Sequence, residues 1–275
     1  VTQKRLWIMG RKCSKMLLRE VMELLEEQSP LYYACDWDNS GLLAGRSNQD
    51  IRKIYIALDA SDEAVEEAVL EEADLLLTHH PLIFGGMKRV VAEDFIGRRL
   101  MRLIANDVAC YAMHTNFDVK GMADLAAAML GLEETQVLDV TAYTDDTEEG
   151  IGRVGRLMAP MTVKECAGFV KAAFSLPEVK VFGKADAVLT TAAVSPGSGK
   201  SEIGNAIACG ADVLITGDID HHDGIDAVAK GLCIIDAGHY GLEQIFVGYM
   251  KGYLEAHCPD IEIVAQKREF PYWTV

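Results

Sequence analysis

One stretch constrains this chain more than any other: Ala73 to Phe84, ADLLLTHHPLIF, an apolar run that ends abruptly in two histidines and a proline. Such a run reads as a buried strand, and open α/β sheets place their chemistry just past the C-terminal ends of strands. Adjacent residues of an extended chain point to opposite faces, so His79 and His80 share a target only where the backbone turns, a turn that Pro81 supplies. Two later stretches have the same shape. VACYAMHTNFD ends in His114 and Asp118, and LCIIDAGHYGLE ends in His239 and Glu243. A histidine at a strand end also serves as a hydrogen-bonded rim; it is the repetition that favours a shared site.

The chain has a repeated plan. IYIALDASDEAVEEAVLEEADLLLTHH reads as strand (54–58), polar loop (59–61), acidic helix (62–72) and strand, and AAVSPGSGKSEIGNAIACGADVLITGD repeats that order. A helix over 95–106 and a strand over 108–113 then deliver His114, as a later strand delivers His239. Two such units predict an α/β fold of two similar lobes facing each other across a cleft where matching strand ends converge. The expected boundaries are a tail over 1–15, a first lobe over 16–143 with the C-terminal segment packing back on it, an acidic connection over 144–150, and a second lobe over 151–275. Within the first lobe, Met16 to Gln28 has the apolar spacing of a packed helix. The cluster DWDNSG at 36–41 reads either as a tight turn, with Asn39 and Gly41 chosen for their backbone, or as part of the site mouth through Asp38 or Asn39.

The 275 residues suffice for a full core. The net charge of −16 repels nucleic-acid backbones and anionic membranes. No apolar run approaches a membrane span. Seven scattered cysteines without a CxxC spacing suit a reducing compartment, so a cytoplasmic location is expected.

The donor set decides the chemistry. Positions i and i+4 of a helical turn lie on one face, so His239 and Glu243 can reach one centre, as can His114 and Asp118 if that segment turns helical. Imidazole and carboxylate together suit zinc, manganese, iron, cobalt or nickel. Six donors exceed the need of one tetrahedral ion and suit two ions that share a carboxylate and activate water. The stretch TGDIDHHDG adds Asp218, His221 and His222, for which outer-layer or proton-transfer roles are expected. SPGSGKS lacks the first glycine of a P-loop, having Val194 there, but Ser198 and Lys200 in its turn offer an anion site. So does the basic pair Lys88 and Arg89 beyond Gly85 and Gly86; a plain turn and a solvated loop end are the alternative readings.

DWDNSGLLAG, LLLTHHPLIFGG, YAMHTNFDV, GIGRVGRL, ITGDIDHH and DAGHYGLEQ, in that order from about Met16 to the C-terminus, together resemble the Nif-three-like dinuclear metal-centre family, the type 2 GTP cyclohydrolase I homologues. The resemblance implies two α/β lobes, two divalent ions held by His79, His80, Asp118, His239 and Glu243 with the last bridging, and a toroidal homohexamer. His114 stands as a ligand or as a base behind the ligands. Some members carry a domain inserted between the lobes, for which the connection here leaves no room. The implied activity is metal-dependent hydrolysis of a small anionic substrate, a nucleotide such as GTP opened at its imidazole ring with release of formate. Phosphoester or amide hydrolysis, and a non-enzymatic metal-binding or transcription-associated interaction role, are the alternatives.

Overall fold

The computed structural model describes residues 15–144, 147–273 and 275. The expected tail, Lys15 apart, lies outside the described residues, as do residues 145 and 146 of the acidic connection. In chain order the strands are β1 (Met16–Leu17), β2 (Gly41–Ala44), β3 (Asp50–Ile51), β4 (Lys53–Ala57), β5 (Leu75–Thr78), β6 (Ala109–Ala112), β7 (Glu133–Tyr143), β8 (Glu148–Thr162), β9 (Lys180–Phe182), β10 (Val188–Ser198), β11 (Val213–Gly217), β12 (Cys233–Asp236) and β13 (Glu262–Ala265). They form a mixed α/β fold with a five-stranded sheet, β13-β4-β5-β6-β2, a six-stranded sheet, β7-β8-β10-β11-β12-β9, and a β1-β3 ribbon. The first sheet is parallel except for β2, whereas the second has a parallel trio, β10-β11-β12, between antiparallel neighbours.

The continuous apolar run before His79 reflects burial on both faces of its sheet. Leu75 and Leu77 enter one core cluster with Leu18, Ile54 and Phe246, while Leu76 points the other way into a cluster with Val65, Leu100 and Leu103. The helix Leu18–Gln28 buries Leu18, Val21 and Leu25, a single stripe at helical spacing. Helix Asp62–Leu70 starts at Ser61, whose side chain accepts from the Ala64 N–H, and Phe95–Ala105 starts at Asp94, which accepts from Ile96 and Gly97.

Two aspartates pin the starts of parallel strands in the same way. Asp74 Oδ2 accepts from the backbone N–H groups of Arg52 and Lys53 at 2.7 and 3.0 Å, and Asp212 Oδ2 accepts from those of Thr190 and Thr191 at 2.7 and 2.9 Å.

The chain passes between sheets earlier than its acidic run indicates. β7 pairs antiparallel with β8, with Tyr143 opposite Glu148 and Val140 opposite Gly150, so residues 148–150 of the expected connection are strand inside the second sheet. The crossing falls between Met129, the last residue of the helix Ala123–Met129, and Glu133. The C-terminal segment returns to the first sheet: Phe246, Val247, Met250 and Leu254 of the helix Ile245–His257 pack into its core, and β13 pairs with β4. No helix among the described residues is long and apolar enough to cross a membrane.

Candidate metal centre

Four imidazoles meet where the two sheets approach each other, and each is held from behind through Nδ1. His79, straight after β5, sets Nδ1 2.7 Å from the Met113 carbonyl. His80 Nδ1 lies 2.8 Å from Asp59 Oδ1, at the end of β4. His114 Nδ1 lies 2.7 Å from Asp38 Oδ1, and His239 Nδ1 lies 2.8 Å from Asp218 Oδ2. A carboxylate or carbonyl at Nδ1 fixes the ring as its Nδ1–H tautomer and turns the lone pair of Nε2 inward, the arrangement found behind metal-bound histidines.

The inward atoms converge on Glu243. Its Oε2 lies 2.8 Å from His239 Nε2 and 3.0 Å from His80 Nε2, and its Oε1 lies 3.6 Å from His79 Nε2. His79 Nε2 is 3.5 Å from Asp118 Oδ1. The two ring nitrogens of His80 and His239 face each other at 3.1 Å. His79 Nε2, Asp118 Oδ1 and Glu243 Oε2 are buried without a hydrogen-bond partner. Buried acceptors pointed at one another need a proton or a cation between them. Without metal the cluster draws in protons: burial opposes a charge on His80 and His239, but neighbouring carboxylates outweigh it and hold the two imidazoles up at about 10 and about 9. Burial pushes Glu243 up too, yet the surrounding histidines hold it far below the usual carboxylate range. Burial leaves Asp118 raised.

Three overlapping triads lie within metal-binding reach: His80, His239 and Glu243; His79, Asp118 and Glu243; and His79, His80 and His114. His239 and Glu243 share one helical turn, His239–Glu243, as their spacing predicts. The same spacing does not bring His114 and Asp118 together. His114 precedes the turn Thr115–Phe117 with φ −102° and ψ −108°, and Asp118 opens a π-helical stretch, Asp118–Met122, that aims its carboxylate at His79.

Of the two readings of DWDNSG, the site reading holds for Asp38. Burial raises its carboxyl, but hydrogen bonds from His114, Thr115 and Ser40 outweigh this and hold it well below the carboxylate range. Asn39 instead ties two loops together, donating from Nδ2 to the Ile83 carbonyl. Sequence reasoning missed Asp59, although its place at a strand end beside that of His79 was a usable signal. It also missed Gly197 and Gly217. A Cβ on Gly197, which has φ +81°, would lie 2.4 Å from Glu243 Oε1, and one on Gly217 would lie 2.4 Å from the His239 backbone nitrogen.

The other candidates lie apart. His221 and His222 are exposed at the start of helix His221–Ala229, touching each other and belonging to none of the triads. Lys200 is engaged by Asp220 and Asp223 at 2.9 and 2.8 Å, and Ser198 closes β10 on the surface. Lys88 and Arg89 are exposed, with no ion-pair partner among the described residues. A cavity of about 630 Å³ opens on His80, His239, Asp59 and Asp218, with Tyr240 and Tyr272 on its wall.

Residues 16–270 match the Duf34/NIF3 (NGG1p interacting factor 3) family. The chain belongs to that family. A relative from Clostridium perfringens named "GTP cyclohydrolase 1 type 2 homolog" is 34% identical over 92% of this chain and 97% of its own length. Among solved structures, a Bacillus cereus protein related to NIF3 superposes with a TM-score of 0.87 at 25% identity, covering 95% of this chain and all of the other. Reduced HcgD from Methanocaldococcus jannaschii gives 0.79 at 31% identity over 92% and 98%.

Proposed function

We propose that the chain is a divalent-metal-dependent hydrolase with a dinuclear centre, for which His80, His239 and Glu243 would hold one ion and His79, Asp118 and Glu243 the other, with Glu243 common to both sets. The observation that carries this reading is the pair of triads sharing Glu243, with three buried polar atoms left unpartnered among them. Borderline divalent ions fit these donors, and when bound they supply Lewis acidity and lower the pKa of water.

The protein's own contribution is geometric. Asp59 and Asp218 hold His80 and His239 in the tautomer that presents Nε2. Asp38 does the same for His114, which stands at the edge of the cluster, beside His79 and His80, as the group that moves a proton at Nε2. Relatives named "GTP cyclohydrolase 1 type 2 homolog" support action on a GTP-like nucleotide; the reaction proposed is opening of its imidazole ring with release of formate. Lys88 and Arg89, exposed on the loop that follows Phe84, are assigned to its anionic part. The two-lobe repeat belongs to this proposal, since it explains why His80 and His239 approach the same carboxylate from two sheets.

Metal content per chain, measured on protein purified without chelator, tests the centre. Close to two ions, lost in both His80→Ala and Glu243→Ala, is the expected result, and a wild type that neither holds nor takes up metal refutes it. GTP turnover that tracks metal content supports ring opening. A loaded protein that leaves GTP intact moves the reading to another hydrolase substrate or to metal holding without turnover.

A further inference from the structure

Two large aromatic side chains stand in solvent beside the cluster. Trp37 is 61% exposed and Phe84 is 57% exposed, and their ring centroids lie 5.9 Å apart. Both rings face His114, at 6.0 and 6.2 Å, and His114 itself lies 5.3 and 5.6 Å from His79 and His80.

The backbone around these rings is tightly held. Asp38, next to Trp37, takes hydrogen bonds from His114, Thr115 and Ser40, and Asn39 bonds the Ile83 carbonyl, next to Phe84. The DWDNS loop and the loop after Pro81 are thereby fastened together, with the two aromatic rings side by side, their planes tilted by 45°, and left uncovered, so that a flat ring stacks on one and meets the other at an angle. Indole and phenyl rings gain most when buried, so a pair fixed in the open at the rim of a polar cluster is a preorganised surface for a flat apolar partner. The carboxylate nearest these rings is that of Asp38, already taken up by His114, Thr115 and Ser40. The rings therefore offer a partner their electron-rich faces, which favour a neutral or electron-poor heteroaromatic ring over a bare anion.

We propose that Trp37 and Phe84 are the specificity-determining platform of this site, stacking a planar heteroaromatic ring of purine size and presenting it to His114. The proposal rests on the hydrolase reading for what happens to that ring, but ring binding itself needs only the two side chains. Stacking on such platforms is worth about 5- to 100-fold in affinity per ring on alanine substitution.

The test uses the full chain with Trp7→Phe and Trp273→Phe, so that Trp37 is its remaining indole. Guanosine, a ring without phosphate, and tripolyphosphate, charge without a ring, are titrated against Trp37 fluorescence in zinc-loaded and in metal-free protein, with zinc content read on the same samples. Saturable quenching by guanosine and none by tripolyphosphate is expected, and Phe84→Ala shifts the guanosine midpoint upward by about 5- to 100-fold with zinc content unchanged. The platform is overturned if guanosine, adenosine and cytidine all fail to quench. It is equally overturned if iodide cannot reach Trp37 in the free protein, which would show a second copy of the chain covering the patch. Failure of the metal reading shows separately, as a protein without zinc whose Trp37 still responds to guanosine.

Discussion

The parallel trio β4-β5-β6 and the parallel trio β10-β11-β12 begin alike and end differently. Asp74 and Asp212 each clamp the neighbouring strand near its upstream end through one carboxylate oxygen, Asp74 at Arg52 and Lys53 and Asp212 at Thr190 and Thr191. At the far ends, β5 runs into His79 and His80, whereas β11 runs into Gly217 and Asp218. The first end supplies inward-facing nitrogens; the second supplies empty space for the His239 backbone and a carboxylate that orients its ring. One framework thus serves a donor end and a receiving end, and the centre needs both.

The sharpest way to break this division is to fill the space. Gly217→Ala places a methyl 2.4 Å from the His239 nitrogen and 2.8 Å from the Gly197 carbonyl, and Gly197→Ala places one 2.4 Å from Glu243 Oε1. Each is expected to destabilise by about 2–4 kcal/mol and to abolish metal uptake, read by denaturant titration and by elemental analysis. Uptake at the wild-type level in either variant would show that the receiving end tolerates crowding.

A smaller effect compares the two orienting carboxylates. Asp59→Asn and Asp218→Asn are each expected to weaken metal binding about 10- to 100-fold while leaving the fold intact, measured by competition with a chelating dye. Equal losses sharpen the symmetry between His80 and His239; a loss confined to one shows that a single triad carries the affinity.

Least is expected at the matched beginnings. Asp74→Asn and Asp212→Asn each weaken strand-start hydrogen bonds to a charged acceptor and cost about 1–2 kcal/mol in urea denaturation. Burial raises the Asp212 carboxyl, but hydrogen bonds from Thr190 and Thr191 outweigh it and leave it depressed. A depressed carboxylate stabilises the fold above its unfolded value of about 3.9 and loses that contribution as pH falls through the folded value. The gap between wild type and Asp212→Asn therefore closes on acidification below about pH 4. A gap that persists there removes Asp212 from the account.

Legibility followed locality. β5 and the strands before His114 and His239 were readable because double-sided burial writes itself as an unbroken apolar run, and the His239–Glu243 turn because both donors lie within four residues. Asp59 serves His80 across 21 residues and Asp38 serves His114 across 76, and pairings of that span leave no period in the sequence. The crossing between sheets was misplaced for a related reason. The acidic run around residue 147 looks like a linker, but its Glu148, Glu149 and Gly150 pair with β7 inside the second sheet, and the true crossing at 130–132 follows a short alanine-rich helix with no charge signal. His221 and His222 had the composition of a site without its placement, being carried outward on the first turn of a surface helix.

The return of β13 to the edge of β4 has a consequence for how the molecule is born. The six-stranded sheet draws its strands from one uninterrupted span, residues 133–236, whereas the core beneath the five-stranded sheet needs Phe246, Met250, Leu254 and Ile263, which follow that span. During synthesis strands β4 to β6 emerge first, but they wait for residues 246–263 before their core can close. The middle of the chain is expected to be protease-resistant on the ribosome before its beginning is. His80 and His239, 3.1 Å apart across the two sheets, then meet only after this later segment has docked.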